Sequence, residues 1–443
     1  MDLLEKVKAA GVIGAGGAGF PTHVKLNAKA DFILLNGAEC EPLLRVDQQL
    51  MEYYPEEIIT GLVKAGEIVE AKKTIIGIKV KHKKVIGILK ETIKKMGLEG
   101  QVLVGELPDV YPAGDEQVLV YELTGRVVPE TGIPIAVGCV VVNAETAYNI
   151  YRASQDQAVT MKYVTVAGEV PNPVTLKVPV GTPLKKLFEA AGVNDLRGYE
   201  VIDGGPMMGP LLADPEGYVT KKTKGLVVLP DEHGLIMHKK REMKSAIRLN
   251  RSACEQCSMC TDMCPRHLLG HSTVPHKMVR AIAYGAEADE TMTAALTCCQ
   301  CNLCEYFSCP AGISPKMANV YFMNQLRSKG IKHDPGNRKF VPHPMRDYRM
   351  VPSKRLIARI GIRKYDVAAP LDIDKTMETD YVGIHLDTHV GAPAKPLVEA
   401  GQMVTEGQLI ADVPEGAMGA AVHASISGQV ETTDNGIITI RRK

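Results

Sequence analysis

The chain has 443 residues, more than one hydrophobic core sustains, so two to four domains are expected. Hydrophobic and charged contents of 45% and 23% are ordinary for a globular protein, and a net charge of +1 argues against a nucleic-acid binder. No apolar run reaches the roughly 18 residues of a membrane span, and the opening MDLLEKVKAAG carries acidic residues and lacks the long apolar stretch of a signal peptide, so a cytoplasmic location is expected.

The opening segment has helical spacing and leads into GVIGAGGAGFPTHVKL, where Gly14, Gly16, Gly17 and Gly19 satisfy G-x-G-x-x-G. A Rossmann turn requires a strand before the glycines and a long helix after them. Here a helix precedes, and Pro21 leaves room for only one or two turns before the strand FILLNG. Glu39 stands about twenty residues past Gly19, where a ribose-binding acid would lie, but the flanks favour a loop whose free N–H groups hold a phosphate. A plain glycine linker is disfavoured by the Phe-Pro-Thr that follows.

Further along, KKTIIGIKV reads as a strand, HKKVIGILKETIKKMG as a helix, and VGCVVVNAETAYNIYRA as a buried strand running into a helix, an α/β layer pattern. From about residue 160, KYVTVAGEVPNPVTLKVPVGTPLKKLFEAAG predicts two hairpin strands and a helix starting near Thr182-Pro183, a small β-grasp module.

Nine of the eleven cysteines fall between Cys254 and Cys309, and eight of them make two spaced sets. The first set is Cys254, Cys257, Cys260 and Cys264-Pro265; the second is Cys298, Cys301, Cys304 and Cys309-Pro310, with one extra residue before Cys309. Three evenly spaced thiols plus a remote Cys-Pro suit a [4Fe–4S] cubane, whereas zinc knuckles use two separated pairs. In the bacterial two-cluster pattern the remote cysteine serves the other cluster. One cluster is therefore expected on Cys254, Cys257, Cys260 and Cys309, the other on Cys298, Cys301, Cys304 and Cys264. Cys40, Cys139 and Cys299 read as packed thiols.

Residues 326–375 form a basic linker without a clear core pattern; positions 327–364 carry twelve Lys and Arg against two Asp. A solvated face is the plain expectation, a strip docking an acidic partner the sharper one, with Arg355, Arg359 and Arg363 on one helical face. Residues 376–443 give short Gly-punctuated strands, a compact β module.

Together these motifs carry a resemblance. GAGGAGFPTHVK resembles the flavin loop of the NADH-binding subunit of respiratory complex I, and three segments follow in that family's order: Asn36, Glu39, Glu41 and Pro42 in NGAECEP; Tyr111, Gly114 and Glu116 in YPAGDEQVL, with Asp115 an acidic variant; and Asn143, Glu145 and Thr146 in VVNAET. With the β-grasp module (similar to the SLBB type) and the two-cluster block, the chain resembles the RnfC family. It has the PduS-type, cobalamin reductase-like arrangement, because its barrel-sandwich module lies at the C-terminus. The match covers about residues 1–325 and 376–443.

The resemblance implies a multidomain α/β protein: a complex I flavoprotein-like domain (1–157), an SLBB β-grasp domain (158–240), an α-helical dicluster ferredoxin domain (241–325), the basic linker (326–375) and a barrel-sandwich hybrid (376–443). Gly14, Gly16, Gly17, Gly19 and Lys25 would hold the FMN phosphate, with Asn36 and Asn143 near the flavin and Phe20 stacking on a nucleotide. Tyr111 would lie by the flavin and nicotinamide with Glu39, Glu41 and Glu116, the expected catalytic carboxylates. NADH would reduce FMN, and two [4Fe–4S] clusters would pass electrons to a corrinoid enzyme, an Rnf-type complex or a partner flavoenzyme such as a methylenetetrahydrofolate reductase. A reading from another class is a non-catalytic iron–sulfur scaffold with a vestigial flavin site. The complex I loop has a basic residue where Ala15 stands and its second motif an acid where Ala38 stands, departures that bear on NADH more than on FMN. The barrel-sandwich module lacks the Met-Lys-Met of lipoyl carriers, so a scaffolding role is expected of it.

Overall fold

The computed structural model describes residues 1–443. Asp2 and Glu5 form a capping box on α1 (Leu3–Ala9), so a helix, not a strand, leads into the glycines. After the loop come α2 (Thr22–Leu26), β1 (Phe32–Asn36), α3 (Val46–Tyr53), α4 (Pro55–Ile68), β2 (Lys73–Lys79), α5 (Lys83–Lys95), β3 (Val102–Leu107), the short β4 (Val110–Tyr111), α6 (Glu116–Thr124), β5 (Cys139–Asn143) and α7 (Ala144–Ser154). Four strands pair in parallel in the order β3-β2-β1-β5. Their near-continuous apolar runs reflect burial on both faces. Ile33, Leu35, Val140 and Val142 share a core with Ile58, Leu62 and Ile150 of α4 and α7, while Leu34, Cys139 and Val141 meet Leu119 and Val120 of α6. Strand progression reverses between β1 and β5, whose last residues, Asn36 and Asn143, are register partners. Open α/β sheets bind ligands beyond the carboxyl ends of strands at such a reversal.

The next unit contains the antiparallel hairpin of β6 (Met161–Gly168) and β7 (Val174–Pro179), then α8 (Leu184–Ala190), β8 (Tyr199–Asp203) and β9 (Gly225–Pro230). Leu184, Leu187 and Phe188 of α8 close over Val164, Val166, Val201 and Val228, a grasp of helix by sheet. The cysteine region is helical, with α9 (Gly234–Lys239), α10 (Met243–Ala253), α11 (Met259–Asp262), α12 (Pro265–Leu268), α13 (Pro275–Ala283) and α14 (Pro315–Ser328). Val279 and Ile282 pack on Phe322 and Leu326 to hold it together.

The segment expected to be a solvated linker is instead a packed strap. It holds α15 (Arg346–Arg349), β10 (Val351–Pro352), α16 (Ser353–Arg359) and β11 (Leu371–Thr376). Leu356, Ile357, Ile360, Ile362 and Tyr365 join one core with Leu43 and Tyr111 of the first unit, Ile202 and Met207 of the second and Leu303 of the cysteine region. β10 pairs with β4, and β11 adds a parallel edge strand to β7, giving the sheet β11-β7-β6-β9-β8. Part of its charge is tied down, with Arg346 on Glu122, Arg349 on Asp262 and Lys364 on Glu169, while Lys354, Arg355, Arg359 and Arg363 stay exposed without an ion pair. Arg355 and Arg359 share α16, but Gly361 at φ +77° follows its end, so Arg363 lies in a separate turn and not on that helical face.

The C-terminal module has β12 (Tyr381–His385), β13 (Lys395–Pro396), β14 (Met403–Val404), β15 (Leu409–Asp412), β16 (Val422–His423), β17 (Gly428–Thr432) and β18 (Ile437–Arg441). They form two sheets, β12-β18-β17-β14 and β13-β15-β16, around a core that includes Ile384, Ile410, Val430 and Ile440. The module leans on the glycine loop: Val390 N–H donates to the Gly19 carbonyl at 3.0 Å. No helix is long and apolar enough to cross a membrane.

Candidate functional site

The glycine loop closes on itself. Gly14 N–H donates to Phe20 O (2.8 Å) and Gly19 N–H to Gly14 O (3.2 Å), while Ala15 N–H is held by Thr146 Oγ1 (2.9 Å). The tip is different. Gly16, Gly17 and Ala18 are exposed, and their N–H groups donate to nothing in the protein. Gly17 takes φ +114° with open space where a Cβ would be. Gly19 has φ +66°, and a Cβ there would meet Thr388 O at 2.9 Å. Three free amides on a left-handed turn form an anion nest, which fits the phosphate of FMN. Phe20 is partly exposed beside it.

Around the loop stand the other expected residues. Asn143 caps α7 by accepting from Glu145 N–H (3.0 Å), and its side chain lies 3.7 Å from a Cβ position on Gly16. Lys25 Nζ is 3.0 Å from Glu116 Oε1 and 3.2 Å from Val141 O. Asn36 turns toward the Tyr111–Glu116 motif, donating to Gly114 O at 2.8 Å.

The three glutamates differ. Glu39 accepts from Asp47 N–H (2.8 Å) and Gln48 N–H (3.3 Å), capping the first turn of α3. Glu41 crosses to the β-grasp unit, where its two oxygens accept from Met207 N–H (2.8 Å) and Met208 N–H (3.0 Å). Burial raises the pKa of both, with the Asp47 charge adding for Glu39. Glu116 alone is half-exposed and pairs only with Lys25. Beneath the loop, Asp47 is 2% exposed and takes Asn143 Nδ2 (3.0 Å) and the ammonium of Lys224, while its second oxygen has no partner. Lys224 comes from the β-grasp unit, 177 residues along the chain, and no local pattern announces it.

In the cysteine region, Cys254, Cys257, Cys260 and Cys309 line one cavity with His276 and Val279; Cys309, not Cys264, completes that lining. Burial pushes up the thiol pKa of Cys304, and the neighbouring Cys298 and Cys264 push it further. Both loops curl alike: Gln256 and Ser258 have φ of +54° and +61°, Gln300 and Asn302 +55° and +63°. No three side chains converge as a lone ion requires. Buried thiolates repel one another unless cations balance them, and all-sulfur sets of this kind fit iron–sulfur clusters.

The second set abuts the flavin motifs. Tyr111, 2% exposed, donates its hydroxyl to Cys301 O at 2.9 Å. Arg266, buried next to Cys264, pairs with Asp115 at 2.8 Å, and Asp115 caps α6 through Gln117 and Val118 N–H. Asn302 Nδ2 reaches Met207 O at 2.6 Å. The first set reaches solvent at Cys257, which is exposed, while Cys260 and Cys309 are buried. Arg266, like Lys224 and Asp47, went unnoticed in the sequence because its partner is distant in the chain.

Four family matches cover the chain in order: the Nuo51 FMN-binding domain over residues 7–152, the SLBB domain over 163–211, the 4Fe-4S dicluster domain over 253–314 and the RnfC barrel sandwich hybrid domain over 363–440. The cobalamin reductase PduS of Citrobacter freundii is 44% identical over 441 residues, 99% of this chain and 96% of that one. The PduS of Salmonella typhimurium is 41% identical over 444 residues, 100% of this chain and 96% of that one. A component of the Na(+)-translocating ferredoxin:NAD(+) oxidoreductase complex of Acetobacterium woodii is 34% identical over 274 residues, 60% of this chain and 58% of that one. With an FMN-binding domain joined to a dicluster domain, this is an electron-transfer flavoprotein, an oxidoreductase. The chain belongs to the PduS family.

Proposed function

We propose that the protein oxidises NADH and delivers the electrons singly to a partner, in the manner of a cobalamin reductase, reducing the cobalt of a corrinoid in the cytoplasm. One observation supports this most: an exposed amide nest stands at the sheet's reversal point, and the neighbouring Tyr111–Glu116 motif is bonded to the cysteine region through Tyr111–Cys301 and Asp115–Arg266. A flavin accepts a hydride from a nicotinamide and releases electrons one at a time, which is the chemistry FMN would supply here.

The roles divide by geometry. The N–H groups of Gly16, Gly17 and Ala18 bind the phosphate, with Gly14 and Gly19 shaping the turn and Lys25 adding charge. Asn143 and Asn36 orient the flavin, and Phe20 shields it. Glu116, the least engaged carboxylate, lines the side from which NADH enters. Glu39 and Glu41 act as positioning residues, because their oxygens already hold backbone amides. Cys264, Cys298, Cys301 and Cys304 carry the cluster next to the flavin; Cys254, Cys257, Cys260 and Cys309 carry the outer one.

The test is NADH-dependent reduction of hydroxocobalamin, followed by its visible spectrum, with ferricyanide as a general acceptor. Corrinoid reduction lost on FMN removal supports the reading. Brisk ferricyanide reduction with no corrinoid reduction favours instead a component that feeds a larger complex, the reading suggested by the Acetobacterium woodii relative.

A further inference from the structure

Positive charge gathers where the outer cysteine set meets solvent. Between Arg241 and Ala286 the chain has seven Lys and Arg against three Asp and Glu. Arg241 and Arg266 are committed internally, to Gly312 O with Ser314 Oγ and to Asp115, and among the acids Asp262 pairs with Arg349. The remaining five cations, Lys244, Arg248, Arg251, Lys277 and Arg280, are exposed and pair with no carboxylate, leaving only Glu242 and Glu255 against them. The next acids, Glu287, Asp289 and Glu290, follow the Gly285 turn, where Asp289 caps the helical segment beyond it.

Lys277 and Arg280 sit on α13, which lines the cavity, and Lys244, Arg248 and Arg251 on α10, which ends at the lining residue Cys254. Arg251 Nε donates to Ile282 O at 3.0 Å, fastening α10 to α13, and α13 supplies His276 and Val279 to the lining. From another side, exposed Arg359 of α16 reaches to 3.4 Å from Cys309 O. Apolar groups stand among them: Leu249 and Met259 are each 37% exposed and Tyr284 76%. Isolated surface charges stabilise a fold little, so five with no carboxylate partner, on the two helices next to the cysteine loop that exposes Cys257, call for another role. Redox encounters use small interfaces steered by charge, with a modest apolar centre.

We infer that this face docks an acidic one-electron carrier protein, which draws electrons from the set of Cys254, Cys257, Cys260 and Cys309. The inference rests on the electron-transfer reading above. One electron leaves the reduced cluster and one enters the oxidised carrier; no bond or proton changes.

The experiment uses holoprotein reduced photochemically, so NADH plays no part, mixed in stopped flow with two oxidised probes, acidic plastocyanin and basic cytochrome c. Binding of each probe is measured separately by surface plasmon resonance. At low salt plastocyanin should be the faster and tighter partner, losing at least tenfold in rate and affinity at high salt. K244E/R248E and K277E/R280E, which touch no side chain holding an internal bond, should each weaken plastocyanin by several-fold or more, improve cytochrome c, and leave the cluster absorbance intact. Plastocyanin binding and rate insensitive to salt and to both variants, or cytochrome c preferred at low salt, would overturn the inference. Failure to reduce either probe would sink the electron-transfer reading, while the binding measurement still decides the docking face.

Discussion

Lys224 shows how one side chain from a second unit completes the first. Its ammonium meets Asp47, which holds Asn143 and shares its backbone N–H with Glu39. Without that cation two carboxylates lie close together in a dry place, and a buried charge that loses its partner is costly. Lys224→Met should therefore release Asn143 from its position beside Gly16 and weaken FMN binding by tenfold or more, as expected from losing a charge-assisted hydrogen bond of about 1.5–3 kcal/mol. Lys224→Arg should recover most of the affinity. Quenching of FMN fluorescence by apoprotein measures both; a Met variant that binds FMN like the parent contradicts the role.

At the scale of elements, the two cysteine loops share one curl, and in the proposed assignment they exchange their fourth ligand. Cys264→Ser and Cys309→Ser should each remove about half the iron. Combining Cys264→Ser with Cys298→Ser should cost no more iron than Cys264→Ser alone, whereas adding Cys257→Ser should strip the rest. The opposite pattern in iron analysis and EPR would mean that each motif closes its own cluster. The elements that could be read in the sequence were those with local signatures: the glycine loop between α1 and α2, the buried strands β1, β2 and β5, the hairpin β6–β7, and the cysteine spacing. The strap could not. Leu356, Ile357, Ile360 and Ile362 are too few and too interrupted by charge to show a period, and their core exists only where three other units meet. The same reason hid Arg266, whose carboxylate lies 151 residues away. Glu39 and Glu41 could be recognised as motif residues, but their attachment to backbone amides depends on α3 and on the Met207 loop and could not.

Over the whole molecule, Lys221 bolts three units together. Its ammonium donates to Gly11 O (2.7 Å) beside the glycine loop and to Ala421 O (2.9 Å) of the C-terminal module. Burial brings its pKa down to about 7, against about 10.4 for lysine in an unfolded chain. Between those values the unfolded chain holds a proton the folded one has released, so stability from this site rises with pH from about 7 toward 10 and is flat below 7. Lys221→Met should flatten that rise, so the difference in urea midpoint between parent and variant stays constant below the folded pKa and grows above it. It should also loosen the C-terminal module, with faster proteolysis between residues 376 and 380. An unchanged pH profile would mean that Lys221 stays protonated in the fold.

The proposed function requires one path, from the amide nest through the inner cysteine set to the outer one. The most direct test is an anaerobic NADH titration of the holoprotein, followed by absorbance and EPR. The path predicts one FMN and about eight irons per chain, bleaching of the flavin band by NADH, and reduced-cluster signals growing in the same titration. A flavin band that NADH leaves untouched while dithionite reduces the clusters, or a chain holding zinc and no iron, would contradict it.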